Sequence, residues 1–317
     1  MQAPRDHGGG IDAAAALYGG AREAWIDLST GINPLPYPLP DLTRDAWTAL
    51  PDRAAQDALV AAARTFWRVP DTFAILPAPG ASSLIARLPA LAGPGRVHIP
   101  APTYNEHAAA FAAQDWTVEI DHDAAGVPRP DARVLVHPNN PTGTWWSKDD
   151  LDAPLCILDE SFADVDPDRS LLGAAHAGTV VLKSFGKFWG LAGLRLGFAI
   201  GAPAMIERLE ALLGPWAVSG PALEIGHAAL TDTDWARQTR ERLARDAARL
   251  DDLLAVAGAD PLGGTSLFRL YHTPNASEFQ DRLARHHIWS RIFPYSKNWV
   301  RLGLPAPDDW ARLEAAL

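Results

Sequence analysis

A serine, a lysine and an arginine, at Ser184, Lys187 and Arg195, are separated by several glycines. The apolar run 179–182 precedes them and predicts that they follow the end of a buried strand. A lysine placed there can form a Schiff base with an aldehyde if its surroundings keep it partly deprotonated. A hydroxyl and a planar guanidinium beside it are suited to hold a phosphate. The stretch is suited to covalent binding of a phosphorylated aldehyde, but an isolated Ser-x-x-Lys more often belongs to an exposed loop, so the interpretation depends on the further motifs.

Two further motifs follow predicted strands. Residues 137–143 read His-Pro-Asn-Asn-Pro-Thr-Gly, a tight turn that offers the amide of Asn140 at a strand end. Asp159 ends the buried apolar strand 155–158. A carboxylate at that place needs a cation or hydrogen-bond donors, and a protonated pyridine nitrogen would be such a partner.

These motifs lie in a region where strand-length apolar runs alternate with helical patterns. The alternation predicts an α/β fold with a mainly parallel, seven-stranded sheet covered by helices on both faces. Ligands of such sheets bind beyond the carboxyl ends of the strands. The predicted strands are 73–76, 96–99, 116–120, 133–136, 155–158, 179–182 and 196–200.

Two strand-to-helix junctions add candidate residues. Residues 79–83, which include Ala81 and Ser82, open a helix whose free amide groups are suited to a phosphate, although serine at a helix start is usually a cap. Tyr104 lies at another junction, where its ring could stack on a planar ligand or simply pack.

The chain divides into three predicted segments. Residues 1–40 are expected to form an irregular N-terminal arm, because the alternating prolines of its last part exclude a helix. This arm is expected to pack on the small domain. Residues 41–215 form the large ligand-binding domain. Residues 216–317 form a smaller C-terminal α+β domain.

Composition restricts the possible partners. The 317 residues carry a net charge of −10, which argues against nucleic acid or an anionic membrane as the main partner. The chain has four lysines, so a Schiff-base candidate comes from a short set. A single cysteine, no membrane-length apolar run and no signal-peptide pattern lead us to expect a cytoplasmic protein.

The three motifs together resemble the aspartate aminotransferase superfamily of fold-type-I pyridoxal 5'-phosphate (PLP) enzymes. The resemblance implies that Lys187 binds the cofactor and shuttles protons, and that Asp159 keeps the pyridine nitrogen protonated. Many relatives have tyrosine where this chain has Phe162, which removes one hydrogen bond to the phenolic oxygen. The other implied cofactor contacts are Asn140 at the phenolic oxygen, Tyr104 on the ring, and Ala81, Ser82, Ser184 and Arg195 at the phosphate.

Within this superfamily the chain is most similar to the threonine-phosphate decarboxylases of cobalamin biosynthesis. The matching features are His-Gly-Gly at 7–9, Ile-Asn-Pro at 32–34 and two arginines near the C-terminus. The resemblance implies a homodimeric, metal-free carboxy-lyase that converts L-threonine O-3-phosphate to (R)-1-aminopropan-2-yl phosphate. The implied contacts with the phosphate and carboxylate of the substrate are His7, Gly8, Asn33, Asn140, Arg291 and Arg301.

Two alternatives use the same cofactor residues. The first is an aminotransferase of the histidinol-phosphate type, which the cofactor motifs do not distinguish from a decarboxylase. The second is a PLP-fold transcription regulator, which needs a DNA-binding helix-turn-helix, and residues 1–40 are expected to leave no room for one.

Overall fold

A computed structural model describes residues 7–121 and 129–317 of the chain. The helices, numbered in chain order, are α1 (Ile11–Tyr18), α2 (Arg44–Thr48), α3 (Arg53–Phe66), α4 (Ala81–Ile85), α5 (Asn105–Ala112), α6 (Pro203–Leu213), α7 (Gly220–Thr231), α8 (Thr233–Val256), α9 (Ala276–Ala284) and α10 (Trp310–Ala316). The strands are β1 (Ile26–Asp27), β2 (Ala74–Ala78), β3 (Arg96–His98), β4 (Thr117–Glu119), β5 (Ala132–Val136), β6 (Leu155–Asp159), β7 (Thr179–Ser184), β8 (Gly197–Gly201), β9 (Asp260–Thr265), β10 (Phe268–His272), β11 (Ile288–Trp289), β12 (Arg291–Phe293) and β13 (Ser296–Gly303). Within these two described ranges, no helix is both long and apolar enough to cross a bilayer.

A seven-stranded sheet has the order β2-β8-β7-β6-β5-β3-β4. All neighbouring strands are parallel except for the two pairs made by β8. The central strands β5 and β6 are buried along their whole length, and β7 is buried up to its last residue. Strands covered on both faces carry nearly continuous apolar sequences, which is why the sequence indicates them clearly. The predicted α/β fold with a mainly parallel seven-stranded sheet is confirmed.

The chain divides into two compact units. The central unit comprises Pro36–Asn140 and Thr144–Arg237 and contains the whole seven-stranded sheet. The terminal unit comprises Met1–Leu35, Pro141–Gly143 and Gln238–Leu317. The central unit extends past residue 215 because α7 packs against α3.

The terminal unit contains two small sheets. Strands β12, β13, β10 and β9 form an antiparallel sheet in that order, and β1 pairs in parallel with β11. The prediction that residues 1–40 are wholly irregular is wrong, because α1 and β1 lie within them. The alanine-rich segment has high helix propensity, and Ile11 and Ala14 of α1 pack against Trp25 and Ala284.

The main apolar core of the central unit lies between the sheet and its helices. It joins residues of α4 and α5 to the buried faces of the strands, so the loops at the strand ends start from fixed positions. Its members include Leu84, Phe111, Trp116, Val134, Ile157 and Leu182.

His137 fixes the start of the loop that follows β5. Its Nε2 donates to the carbonyl oxygen of Arg169 at 2.8 Å, and its Nδ1 accepts the backbone N–H of Trp146 at 3.0 Å. Both partners are satisfied only by a neutral imidazole that carries its proton on Nε2. Burial lowers the pKa of His137 below its ordinary value.

We predict that His137 makes the protein less stable in mild acid. Because its pKa is lowered in the folded state, the unfolded chain binds a proton below about pH 6.5 that the folded chain does not. The free energy of unfolding should fall by up to about 1.4 kcal/mol per pH unit below that value. Urea titrations between about pH 7.5 and 5.5 measure this fall. The pKa of histidine in the unfolded chain is taken as the ordinary value of about 6.5.

The same titrations on His137→Gln and on His227→Gln, which changes an exposed histidine of α7, give the comparison. His137→Gln should lose most of the acid sensitivity, and His227→Gln should retain it. Equal acid sensitivity in the His137→Gln variant and the unmodified protein would contradict the assignment.

Candidate active site

Lys187 lies in the loop that follows β7, between buried aromatic residues. The ring of Trp189 stacks on Phe185 at 5.1 Å between centroids and on Trp235 at 5.3 Å, with interplanar angles of 14° and 12°. The backbone N–H of Gly186 donates to Ser184 Oγ at 3.2 Å. The lysine is therefore presented by a loop whose flanking side chains are packed in the core.

The loop borders a cavity of about 250 Å³ in the central unit. Side chains from the carboxyl ends of several strands converge on it, as expected for a sheet of this type. The residues that line it are Ala81, Ser82, Ile85, Tyr104, Val136, Asn140, Asp159, Ser161, Phe162, Ser184, Gly186, Lys187, Ala192 and Arg195. This set includes all of the cofactor-binding residues predicted from the sequence.

Asp159 ends β6 and is 3% exposed. Its Oδ2 lies 2.8 Å from His107 Nε2, and its Oδ1 accepts hydrogen bonds from the hydroxyl and the backbone N–H of Ser161 at 2.5 and 3.0 Å. Burial alone would raise the pKa of Asp159, but the hydrogen bonds and the attraction of His107 lower it below its ordinary value. The cavity therefore contains a carboxylate that is held ionised.

Lys187 is the lysine that lines the cavity, and its Nζ lies 5.2 Å from the centre of the Phe162 ring. Lys183 is buried elsewhere, with its Nζ 2.6 Å from Glu160 Oε2. Neighbouring residues of a strand point to opposite faces of the sheet, so the side chains of Lys183 and Ser184 lie on opposite faces.

The two asparagines of the 137–143 turn have different surroundings. Asn139 is buried; its Nδ2 donates to the carbonyl oxygen of Pro102 at 3.0 Å, and its Oδ1 accepts the hydroxyl of Thr103 at 2.6 Å. It therefore holds the segment that leads to Tyr104, while Asn140 lines the cavity.

Arg195 and Ser82 form a cationic, hydroxyl-bearing corner of the cavity. Arg195 Nη2 donates to Ser82 Oγ at 3.3 Å, and its Nη1 donates to the carbonyl oxygen of Ala192 at 3.0 Å. Gly80 has a φ of +81°, and a Cβ on it would lie 2.6 Å from Arg195 Nη2. A glycine is therefore required for the guanidinium to lie against this turn.

Several of the predicted substrate residues lie close together in the terminal unit. Arg291 and Arg301 are opposite each other on β12 and β13. Arg301 is 5% exposed and donates to the carbonyl oxygen of Ser29. Burial and the charge of Arg291 lower the pKa of Arg301 to about 10, against the opposing effect of Asp27. Two adjacent cations, one of them buried, favour a bound anion.

The N-terminal candidates of the same unit lie in two places. The backbone of Gly8 packs so closely that a Cβ would lie 2.6 Å from the carbonyl oxygen of Ser29, whereas His7 is exposed. Asn33 is buried, and its Oδ1 accepts a hydrogen bond from Arg242 Nη2 at 2.6 Å. Gly8 and Arg301 thus share Ser29 as a neighbour, while Asn33 is held by Arg242.

Sequence reasoning missed His107, the main partner of Asp159. His107 follows Tyr104 by three residues at the start of α5, a spacing that places both on one side of a helix. Their rings are 6.1 Å apart. The spacing is the only signal that could have indicated His107, and it does not show which strand end the helix faces.

Comparison with known proteins gives the family. Residues 25–316 match the aminotransferase class I and II family. The chain belongs to this family. The resemblance to fold-type-I PLP enzymes is therefore confirmed.

Two relatives match this family member over nearly its whole length. A threonine-phosphate decarboxylase from Sinorhizobium sp. is 43% identical, over 97% of this chain and 95% of the relative. A threonine-phosphate decarboxylase from Pseudomonas aeruginosa is 39% identical, over 98% and 97%. The structure of histidinol-phosphate aminotransferase from Sinorhizobium meliloti in complex with pyridoxal-5'-phosphate has a TM-score of 0.80 at 18% identity, over 98% of this chain and 93% of that one, and shows the shared fold.

We predict that the stability of the chain depends on the pair between His107 and Asp159. The substitution His107→Leu leaves a buried carboxylate without its main partner, and such losses destabilise a protein by about 3 kcal/mol or more. Urea unfolding of the cofactor-free protein at neutral pH measures the loss. His107→Gln, whose amide can still donate, should lose less. A decrease below about 1 kcal/mol for His107→Leu would show that the pair contributes little.

Proposed function

We propose that the chain is a PLP-dependent decarboxylase that converts L-threonine O-3-phosphate to (R)-1-aminopropan-2-yl phosphate and CO₂ for cobalamin biosynthesis. The observation that carries the proposal is the near-full-length match, at 43% and 39% identity, to two threonine-phosphate decarboxylases. Such an enzyme needs a cofactor that accepts the electron pair left on the α-carbon when CO₂ departs.

The residues that line the cavity fit PLP in chemical type. Each functional group of the cofactor has a counterpart: an amine for the aldehyde, a carboxylate for the pyridine nitrogen, an amide for the phenolic oxygen, an aromatic ring for the pyridine face, and a backbone amide, hydroxyls and a guanidinium for the phosphate. In that order the counterparts are Lys187, Asp159, Asn140 and Tyr104, followed by Ala81, Ser82, Ser184 and Arg195 around the phosphate. When bound, PLP supplies the electron sink for the pair released at the substrate α-carbon.

The side chains act by holding protons and orienting groups. The ionised carboxylate of Asp159 would hold a proton on the pyridine nitrogen through a charge-assisted hydrogen bond in a buried site. Lys187 Nζ would hold the cofactor covalently and, once released, move a proton to the α-carbon. Phe162 lies beside Lys187 and offers no hydrogen bond, so it contributes an apolar wall that excludes water.

The anionic ends of the substrate need separate partners. We assign its phosphate and carboxylate to His7, Gly8, Asn33, Asn140, Arg291 and Arg301. The adjacent guanidinium groups of Arg291 and Arg301 support this assignment, since planar cations bind phosphate and carboxylate in a bidentate manner. By holding the two anionic ends of the substrate, these residues would fix the orientation of the α-carbon and so select the carboxylate for release as CO₂.

We also propose a cytoplasmic homodimer that binds neither nucleic acid nor membranes. The net charge of −10 supports the lack of nucleic-acid and membrane partners, and the single, buried cysteine supports a cytoplasmic location. We keep the domain roles predicted from the sequence, with residues 1–40 as the arm of the small domain, 41–215 as the large PLP domain and 216–317 as the small domain, although the compact central unit continues to Arg237. Sedimentation at micromolar concentration tests the dimer.

The experiment that tests the function compares two substrates. Purified protein loaded with PLP should release CO₂ from L-threonine O-3-phosphate without a keto-acid acceptor. The alternative, an aminotransferase of the histidinol-phosphate type, would instead convert the bound cofactor to its amine form when histidinol phosphate is added. Conversion with histidinol phosphate and no CO₂ from phosphothreonine would overturn the proposal.

A second prediction concerns the lysine. Borohydride reduction of the PLP-loaded protein should fix the cofactor on Lys187, and mass spectrometry of the peptides identifies the site. Lys187→Ala should lose the adduct and at least about 1,000-fold in the rate of CO₂ release, because covalent catalysis depends on this amine. Lys148→Ala, which changes an exposed lysine, should retain both. An adduct on another lysine would refute the role of Lys187.

A further inference from the structure

Three charged side chains, Glu160, Asp164 and Lys183, form a buried cluster in the central unit. They are 1%, 3% and 2% exposed and do not belong to the set that lines the cavity. Lys183 Nζ lies 2.6 Å from Glu160 Oε2 and 3.8 Å from Asp164 Oδ1. The proposed reaction uses none of the three.

Each carboxylate of the cluster also accepts hydrogen bonds from neutral donors. Glu160 accepts the hydroxyl of Ser170 at 2.7 Å and the backbone N–H of Leu171 at 2.8 Å. Asp164 accepts the indole N–H of Trp67 at 2.8 Å through Oδ1 and that of Trp189 at 3.2 Å through Oδ2. The two oxygens of Asp164 thus hold two different tryptophans.

Stability alone does not account for the cluster. Moving three charges out of water has a large desolvation penalty, and apolar residues of similar volume often stabilise a core as well or better. What charged pairs add is direction, because each oxygen must face its own donor. A buried, well-partnered cluster therefore fixes the orientation of the chain segments that carry it.

Those segments carry the carboxylate of Asp159 and the amine of Lys187, which both line the cavity. Glu160 directly follows Asp159, and its backbone N–H donates to the carbonyl oxygen of Leu182 in β7 at 3.0 Å. Trp189, which Asp164 holds, lies two residues after Lys187. The cluster thus connects the end of β6 to both ends of the loop that carries Lys187, through Lys183 before the loop and Trp189 within it.

We propose that Glu160, Asp164 and Lys183 are positioning residues that fix the amine of Lys187 relative to the carboxylate of Asp159. Asp164 acts through the indole N–H of Trp189, and Lys183 joins Asp164 to Glu160. The inference rests on the proposed function for the roles of Lys187 and Asp159. It adds that their spacing is set from outside the cavity.

A double-mutant cycle tests the proposal. Asp164→Asn removes a charge and one acceptor at constant size, and Trp189→Phe removes the indole N–H while keeping a ring in the stack. Asp168→Asn, which changes an exposed carboxylate of the same segment, is the matched control. Each of the first two variants should lose about tenfold or more in kcat with less than about a twofold change in KM. The double variant should lose less than the two single losses combined, because Asp164 acts on the site through Trp189.

Two further readouts separate positioning from a merely structural role. The pH at which the absorption of the bound cofactor changes should shift by about half a unit or more in both variants, because the surroundings of the Lys187 amine change. Hydrogen exchange of peptides covering 184–191 in the cofactor-free protein should rise about threefold or more. The control should match the unmodified protein in both. If Asp164→Asn does not fold, Trp189→Phe decides the question by the same readouts.

The outcomes also separate this inference from the proposed function. Unchanged kcat, absorption and exchange in folded variants, or strictly additive losses in the double variant, would overturn the positioning role while CO₂ release by the unmodified protein still stands. An unmodified protein that binds no PLP would overturn the proposed function. Unchanged exchange of 184–191 in the cofactor-free variants would overturn the positioning role even then.

Discussion

The site depends on one constraint: a carboxylate is kept ionised although the protein buries it almost completely. Asp159 ends a fully buried strand, so burial by itself would favour its neutral form. His107 and the hydroxyl and backbone of Ser161 reverse that preference by donating to both oxygens. If the carboxylate were neutral, it could not keep a proton on a pyridine nitrogen, and the electron sink of the proposed reaction would be weaker.

The rest of the central unit places the other groups around that carboxylate. Parallel strands bring their carboxyl ends to one edge of the sheet, and stacked aromatic rings hold the lysine loop after β7. Local cations make an anion site possible in a protein whose net charge is −10, because Arg195 and Ser82 form a fixed corner of the cavity. The terminal unit contains a second cationic group, Arg291 and Arg301, in which burial lowers one pKa.

How much could be predicted from the sequence depended on whether the signal was local. The strand before Asp159 and the loop with Lys187 are marked by continuous apolar runs and glycines, so the fold class and the cofactor-binding candidates that line the cavity could be predicted. The helix α1 was missed although its alanines favour a helix locally, because part of its stability comes from packing on Ala284, which is distant in sequence. Strand β9 has a composition unfavourable for strands, with Pro261 and two glycines, and it is tolerated because β9 lies at a sheet edge. The pairing of His107 with Asp159 is likewise a tertiary contact.

The most direct test of the account is the protonation state of Asp159 itself. Carbon-13 NMR of the cofactor-free protein, with aspartate labelled at the side-chain carboxyl, follows each carboxyl group through a pH titration, and Asp159→Asn identifies the signal. The account predicts that Asp159 stays ionised to a lower pH than an ordinary aspartate, whose pKa is about 3.9. Protonation of Asp159 at a higher pH than this reference would mean that burial outweighs its hydrogen bonds, and would contradict the account.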